Sequence, residues 1–269
     1  MIATQQDINH VPTIWPKKHD LLGLYISEVE YDEAVACIID AAEKRHRAVV
    51  SCHAVHAVIT ISKDPELKKA ANRFEMITAD GQPVRWALNA LHRTGLKERV
   101  YGPELMWRVL CEAAIRHIPI YLYGGSPDGL RLLIDRLQEK LPSLTIVGSE
   151  SPPYRPLTSN EALQIAHNIN ETGAAIVLIG LGCPKQDRFA AMQSDTINAV
   201  QMCVGAAFDF HAGSKPSAPA WMQAIGTEWV FRLMCEPRRL WRRYLLTNTQ
   251  FACAMMKAYC FPVRNDKTV

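Results

Sequence analysis

The sequence predicts an α/β fold: a Rossmann-like, mostly parallel sheet with helices on both faces, followed by a C-terminal helical appendage. Short apolar runs alternate with amphipathic segments over about the first 210 residues, which is typical of parallel sheets covered by helices. After residue 212 the chain becomes helical and rich in Trp and Arg. We therefore predict an N-terminal extension (residues 1–20), a Rossmann-like domain (21–212) and an appendage (213–269) too small to fold alone.

The individual elements follow from the same patterning. Predicted strands are the apolar runs at residues 21–26, 47–52, 75–78, 118–123, 144–147, 174–179 and 199–204. Predicted helices carry apolar residues at the spacing of one helix face. They cover residues 31–44, 53–73, 83–92, 103–116, 128–140, 158–172 and the chain from about 220 to 260.

Composition narrows the class of protein. Of the 269 residues, 48% are apolar and 21% are charged, which is ordinary for a globular protein. No apolar run approaches the roughly 18 residues that span a membrane, and the N-terminus does not resemble a signal peptide, so we expect a cytoplasmic location. The eight cysteines form no C-x-x-C pair and most lie in apolar runs, which predicts buried, reduced thiols.

Charge is distributed unevenly along the chain. From residue 215 onward there are nine Lys and Arg against three Asp and Glu, so this tail carries +6 while the whole chain carries +3. The first 214 residues are therefore slightly acidic. A basic tail on such a body predicts an anionic partner: phosphate groups, nucleic acid or anionic lipid.

Two glycine-containing loops follow predicted strands, at the sheet edge where open α/β sheets bind ligands. Gly124 and Gly125 precede a helix start, where backbone N–H groups could approach a phosphate or simply form a tight turn. In the second loop, Gly182, Lys185 and Gln186 open a helix. A lysine in a first turn opposes the helix dipole unless an anion lies nearby, so we interpret this loop as facing a ligand.

Two charged residues lie near the predicted strand at 75–78. Asp80 follows it directly and precedes Gly81, and an Asp-Gly pair is typical of a turn. A carboxylate at a strand end can also be positioned to take a proton from a hydroxyl group. Arg99 precedes a predicted helix and could either clamp a diphosphate through paired hydrogen bonds or be solvated.

Asp209 and His211 resemble a metal-binding or acid–base pair at first sight. No third ligand has suitable spacing, and no D-x-D sequence occurs in the chain. A metal held by paired aspartates is therefore not expected, and for Asp209 we predict a structural or substrate-orienting role.

The strongest charge feature is the segment at residues 236–244 (EPRRLWRRY). On a helix, Arg238 and Arg242 lie four apart, as do Arg239 and Arg243, which makes a basic stripe. A solvated basic face is the simplest interpretation, but the flanking aromatic residues favour an amphipathic helix at an anionic membrane. Nucleic acid is the weaker alternative because the chain has no recognisable nucleic-acid motif.

Taken together, six segments resemble the WecG/TagA/CpsF group of bacterial glycosyltransferases, known as glycosyltransferase family 26. Each segment alone is modest, but they occur in the family's order between about residues 21 and 250. They are residues 78–84 (TADGQPV), 98–106 (ERVYGPELM), 123–125 (YGG), 180–186 (GLGCPKQ), 204–213 (VGAAFDFHAG) and the tail motifs APAWM, EWVFRL and EPRR at 218–239.

The resemblance implies an inverting transfer of a hexose-type sugar (N-acetylmannosamine, its uronic acid, or glucose) from a UDP-sugar. The implied acceptor is a polyprenyl-diphosphate-linked saccharide of cell-surface polysaccharide synthesis, at the cytoplasmic face of the inner membrane. Residues 21–212 would then be the catalytic domain and 213–269 a membrane-associating appendage. No metal ion or other cofactor and no nucleic acid is implied, and a homo-oligomer is left open.

The same resemblance implies roles for individual residues. Asp80 corresponds to the family's proposed base, and Arg99 and Gln186 to residues of substrate binding or catalysis. The C-terminal arginines would close over the donor diphosphate while the appendage touches the membrane. The implied substrate-binding residues are Cys52, Gly81, Gly124, Gly125, Gly182, Lys185, Asp209, Arg232, Arg238, Arg239 and Arg242.

The chain departs from the family pattern in three places. A T-x-N motif after the second strand is replaced by residues 51–56 (SCHAVH), where Ser51 or Cys52 could take the place of the threonine. The K-R-A-P motif reads KPSAP at 215–219, and the residue after Gln186 is Asp187 rather than glutamate. The first departure leaves the choice of sugar open.

Two other functions stay as alternatives. One is a catalytically silent subunit that binds nucleotide sugars in a polysaccharide assembly complex, which the intact Asp80, Arg99 and Gln186 disfavour. The other is a membrane-surface dehydrogenase, which lacks the dinucleotide-binding fingerprint.

Overall fold

The computed structural model describes residues 13–219, 221–222 and 225–260, apart from the side chains of Arg239 and Arg243. The predictions for residues 1–12 and 261–269 lie outside these residues. In chain order the elements are β1 (Lys18–Leu21), β2 (Leu24–Ser27), α1 (Tyr31–Glu43), β3 (Ala48–His53), α2 (Val55–Ser62), α3 (Pro65–Ala71), β4 (Met76–Ala79), α4 (Gln82–His92), α5 (Gly102–Ile115), β5 (Ile120–Gly124), α6 (Pro127–Lys140), β6 (Ile146–Glu150), α7 (Ser159–Glu171), β7 (Ile176–Gly180), α8 (Lys185–Gln193), β8 (Val200–Cys203), α9 (Ala207–His211), α10 (Glu228–Cys235) and α11 (Pro237–Cys260).

The central sheet has six parallel strands in the order β4-β3-β8-β7-β5-β6. Successive strand residues point to opposite faces, and both faces are apolar: Val50 and Ile176 belong to one buried cluster, and Val49 and Val177 to the other. Helices α1, α5 and α6 cover the first face, whereas α2, α3, α4, α7 and α8 cover the second. The predicted α/β fold is confirmed.

The first predicted strand is wrong. Residues 18–27 form an antiparallel hairpin, β1 and β2, outside the parallel sheet. Leu22 and Gly23 occupy its turn with φ angles of 61° and 79°, the left-handed pair that a two-residue hairpin requires. A leucine in such a turn gives no sequence signal, so the apolar run was indistinguishable from one strand. The predicted boundary at residue 20 falls within β1.

Two further elements differ from the predictions in their limits. The helical stretch 53–73 is two helices, because the Asp64 side chain accepts a hydrogen bond from the N–H of Leu67 and begins α3 with Pro65 in its first turn. The strand predicted at 144–147 is β6 at Ile146–Glu150. It lies at the edge of the sheet, where polar residues are tolerated and an apolar run therefore marks the strand poorly.

The predicted C-terminal helical appendage is confirmed as α10 and α11. Helix α11 packs against α2 and α4, and Phe251 is buried in the second apolar cluster. No described helix is both long and apolar enough to cross a membrane. The cysteine prediction is only partly right: Cys37 and Cys203 are buried, but Cys235, Cys253 and Cys260 on these C-terminal helices are exposed.

Candidate active site

The residues predicted to bind substrate lie mostly at one edge of the sheet, where the parallel strands end. Asp80 follows β4, Cys52 is the penultimate residue of β3, and Gly124 ends β5. Gly182 and Gln186 follow β7. Because neighbouring parallel strands end at the same edge, residues that are far apart in sequence meet here.

Asp80 is half-buried and faces the start of α5. Its carboxylate accepts a hydrogen bond of 2.9 Å from the N–H of Gly102. A side chain at Gly102 would crowd this carboxylate, since a Cβ there would lie 3.2 Å from Oδ2. The glycine therefore lets the helix backbone approach the acid.

Burial raises the pKa of the Asp80 carboxyl above its ordinary value. The positive charge of Arg99 and the Gly102 N–H oppose this rise, the negative charge of Glu228 adds to it, and Arg232 opposes it again. A carboxylate whose pKa is raised holds a proton more readily than an ordinary aspartate. Such a group suits general-base chemistry.

Arg99 lies beside Asp80 and is held from two sides. Its guanidinium forms an ion pair of 2.6 Å with Glu228, the first residue of α10, and stacks on the Tyr101 ring with its Cζ 4.4 Å from the ring centre. The Arg99 and Glu228 side chains are 11% and 10% exposed. The appendage therefore contributes a carboxylate to the centre of the site.

Cys52 lies next to Asp80 across the β3–β4 pair, where Cys52 is in register with Thr78. Burial and the nearby Asp80 charge raise the pKa of the Cys52 thiol to about 12. The thiol is therefore protonated at neutral pH, so it is a weak hydrogen-bond donor here and not a nucleophile.

Two cavities meet at Arg99 and Gln82. The first, which we call the polar cleft, has a volume of about 640 Å³ and is lined by Tyr31, Tyr101, Trp107, Arg108, Phe210 and His211. The second, the apolar cavity, has about 320 Å³ and lies between Asp80 and the C-terminal helices. Its lining includes Val55, Pro83, Trp229, Tyr244 and Phe251 together with Gly81 and Arg232.

The glycine loops have a packing role that the sequence left open. A Cβ on Gly124 would lie 2.7 Å from the carbonyl carbon of Gly180, so β5 and β7 approach too closely for any side chain. Gly125 and Gly182 have φ angles of 73° and 76°, which favour glycine. Gly182 has open space around it and donates its N–H to the Gln186 Oε1 at 3.0 Å.

Gln186 and Lys185 behave differently although they are adjacent. Gln186 is buried and holds the loop after β7, and its Oε1 would lie 3.2 Å from a Cβ on Gly205 after β8. Lys185 is exposed at the first position of α8. The buried glutamine therefore contacts the loops after β7 and β8, whereas the lysine faces solvent.

Asp209 and His211 are not brought together. Asp209 forms an ion pair of 2.6 Å with Lys215, whereas His211 contacts the Pro103 carbonyl oxygen at 2.9 Å and stacks on Trp107. Burial lowers the pKa of His211 below its ordinary value. The two side chains therefore have separate structural partners. No cluster of three or more His, Cys, Asp or Glu that could hold a metal ion occurs among the described residues.

The C-terminal arginines divide into two groups. Arg232 lines the apolar cavity and lies over the Phe210 ring, with its Cζ 5.5 Å from the ring centre. Arg238 and Arg242 are exposed on α11 and line neither cavity. The Arg239 side chain lies outside the described part of the chain.

A buried polar cluster behind the site had no predicted role. Asp187 accepts hydrogen bonds from the Ser51 hydroxyl at 2.7 Å and from the His53 Nε2 at 2.9 Å, and all three residues are fully buried. Burial alone would raise the pKa of Asp187, but the His53 ring and the hydrogen bonds from His53, Ser51 and Cys183 lower it below its ordinary value. The sequence signal was the departure at residues 51–56 together with the aspartate at 187.

The amino-acid sequence matches the model of one known protein family. The family model described as "Glycosyl transferase WecG/TagA/CpsF family" matches residues 19–265, nearly the whole chain. The chain belongs to this family. It is therefore a glycosyltransferase of cell-surface polysaccharide synthesis. The resemblance inferred from six sequence segments is confirmed.

Proposed function

We propose that this WecG/TagA/CpsF glycosyltransferase is an inverting enzyme that transfers a hexose-type sugar from a UDP-sugar to a polyprenyl-diphosphate-linked saccharide. The observation that carries the proposal is the half-buried Asp80, whose raised pKa and position beside Arg99 suit a general base. Asp80 would take the proton of the acceptor hydroxyl while its oxygen bonds to the anomeric carbon. The sugar–phosphate bond breaks at the same time, and its electron pair leaves with UDP.

Cationic side chains beside Asp80 would stabilise the leaving diphosphate. Arg99 and Arg232 lie on the same cavity as Asp80, and positive charge placed where negative charge develops lowers the barrier. We propose that these two arginines act in place of a metal ion. Gln186 and the glycines Gly124, Gly125 and Gly182 would shape the donor site at the neighbouring strand ends, with Lys185 and Asp209 at its rim.

A donor screen tests this proposal. UDP release would be measured for the UDP derivatives of N-acetylmannosamine, its uronic acid and glucose, with a short lipid-diphosphate acceptor, with and without EDTA. We expect one donor to be turned over and EDTA to leave the rate unchanged. Binding of a UDP-sugar without turnover would favour a silent binding subunit, and full loss of activity in EDTA would contradict the metal-independent mechanism.

We further propose that α11 lies on an anionic membrane at the cytoplasmic face of the inner membrane. Arg238 and Arg242 are exposed beside Trp241, which is 47% exposed, and Leu245 and Leu246 are exposed one turn further on. A helix with basic residues next to exposed apolar ones is typical of an interfacial helix.

Liposome co-sedimentation of the full chain tests this contact. Replacing Arg238 and Arg242 by Gln should weaken binding to anionic vesicles about thirtyfold, since each basic residue near such a surface contributes about 1 kcal/mol. Replacing the exposed Arg73 and Arg131 by Gln provides a control with the same change in charge elsewhere. Equal binding by both double variants would refute the proposed surface.

A further inference from the structure

Glu228 lines the apolar cavity but takes no part in the proposed transfer step. It is the first residue of α10, yet its carboxylate reaches the Arg99 guanidinium at 2.6 Å, and the pair is separated by 129 positions in the sequence. Glu228 is only 7% exposed. A buried carboxylate is costly unless it is paired, and Arg99 supplies that pairing inside the site.

Glu228 joins two parts of the molecule at a single point. Arg99 precedes α5 in the Rossmann-like domain, and Glu228 begins the first described helix after residue 222. Both line the apolar cavity together with Asp80. Glu228 therefore places Arg99 only when α10 is docked against the sheet edge.

The alternative partners of Arg99 show why its position needs fixing. Arg99 stacks on Tyr101 and feels the Asp80 charge, so without Glu228 the guanidinium could turn towards Asp80. A direct pair between Asp80 and Arg99 would keep the carboxylate ionised and would reduce its strength as a base. By competing for the guanidinium, Glu228 holds Arg99 near Asp80 without a direct ion pair between Arg99 and Asp80.

We propose that Glu228 is a positioning residue, which fixes the Arg99 guanidinium beside Asp80 through a buried ion pair. This role rests on the proposed function of Asp80 as the base. The negative charge of Glu228 also acts on Asp80 directly, in the same direction as burial. The charged or titratable groups that act on or are acted on by Asp80 are Arg99, Arg232, Glu228, Tyr31, Tyr101 and Cys52.

Glu228→Gln separates charge from shape, because the amide oxygen can still accept a hydrogen bond from Arg99. In the full-length protein labelled with ¹³C at aspartate carboxyls, the Asp80 signal, assigned with Asp80→Asn, should titrate at lower pH in Glu228→Gln than in the wild type. The acid limb of kcat/KM against pH should move in the same direction. A residue with a merely structural role would move neither.

Two further variants complete the test. Glu228→Ala loses both charge and shape, and we expect kcat to fall about 100-fold, as for misplaced catalytic groups. Glu228→Asp should recover part of that loss. Glu43→Gln is the matched control, because it removes a comparable Glu–Arg pair on the surface, where Glu43 lies 3.0 Å from Arg116.

The outcomes distinguish the two proposals. An unchanged Asp80 titration in Glu228→Gln would overturn the positioning role even in an active transferase. If the wild type transfers no sugar but the Asp80 titration moves, the proposed function fails while the coupling of Glu228 to Asp80 stands.

Discussion

Asp80 and Asp187 are two carboxylates at the same sheet edge with opposite properties. One residue connects them: the backbone oxygen of His53 accepts the Asp80 N–H at 3.2 Å, and the His53 ring donates to Asp187 at 2.9 Å. Asp187 is fully buried, yet its pKa is lowered, whereas Asp80 is only half-buried and its pKa is raised. Burial raises the pKa of both acids, so the difference between them comes from the groups that oppose burial.

The hydrogen-bond partners of the two acids differ. Asp187 accepts from the side chains of Ser51, His53 and Cys183, which outweigh burial. The Asp80 carboxylate accepts from the backbone of Gly102 and otherwise faces a cavity. Hydrogen bonds and positive charge favour the ionised form, and their shortage favours the protonated one. The fold thus contains one acid held by buried side chains and one that faces a cavity, as the base that we propose requires.

The largest expected effect is on the rate of sugar transfer, which should depend on Asp80. Asp80→Asn should lower kcat by about 10²- to 10⁴-fold, which is the usual contribution of a general base, and should leave the thermal unfolding midpoint near that of the wild type. UDP release and calorimetry measure the two quantities. The control is Asp135→Asn, an exposed aspartate on α6. A retained rate in Asp80→Asn would remove the distinction between the acids.

The second effect concerns stability. Asp187→Ala leaves Ser51 and His53 buried without their shared acceptor, so we expect unfolding in urea to require about 3–5 kcal/mol less. Ser51→Ala, which removes one hydrogen bond to a charged group, should cost about 1.5–3 kcal/mol. Asp195→Ala changes an aspartate that is 81% exposed and should cost under about 0.5 kcal/mol. Equal midpoints for Asp187→Ala and Asp195→Ala would show that the buried cluster does not stabilise the fold.

The smallest expected effect is that the two acids change the stability of the fold with pH in opposite directions. The pKa of Asp187 is lower in the folded than in the unfolded chain, so its stabilisation is present above the unfolded value and is lost as pH falls through the folded value. The raised pKa of Asp80 gives the opposite sign: its contribution is present below the unfolded value and is lost as pH rises through the folded one. In urea unfolding across acidic pH, Asp187→Asn should therefore lose stability relative to the wild type as pH rises, whereas Asp80→Asn should gain stability relative to the wild type. Parallel curves for the two variants would contradict the opposed pKa directions.

The sequence predicted those features that depend on local pattern. Alternating apolar runs were enough for the parallel sheet, and the strand-end rule brought Asp80, Gly124 and Gln186 to one edge. The hairpin β1–β2 was missed because Leu22 adopts the left-handed conformation in its turn, and leucine is not a residue that indicates a turn.

The missed side-chain partners are all distant in sequence. Ser51 and Asp187 are 136 positions apart, and Arg99 and Glu228 are 129 apart. Such pairs depend on which strands become neighbours and on how α10 docks, and neither follows from periodicity. Glu228 lay within a segment that already resembled the family, but an acid at the start of a helix is ordinary and gave no reason to assign it a role.

The close contact between β5 and β7 has a consequence for altering sugar preference by library design. A Cβ on Gly180 would lie 2.5 Å from the Phe208 ring, and one on Gly124 would meet the Gly180 backbone, so diversity at these two codons would yield mainly misfolded protein. Cys52, by contrast, is half-buried beside Asp80 and packs against the first apolar cluster. A library aimed at sugar preference should therefore keep both glycine codons constant.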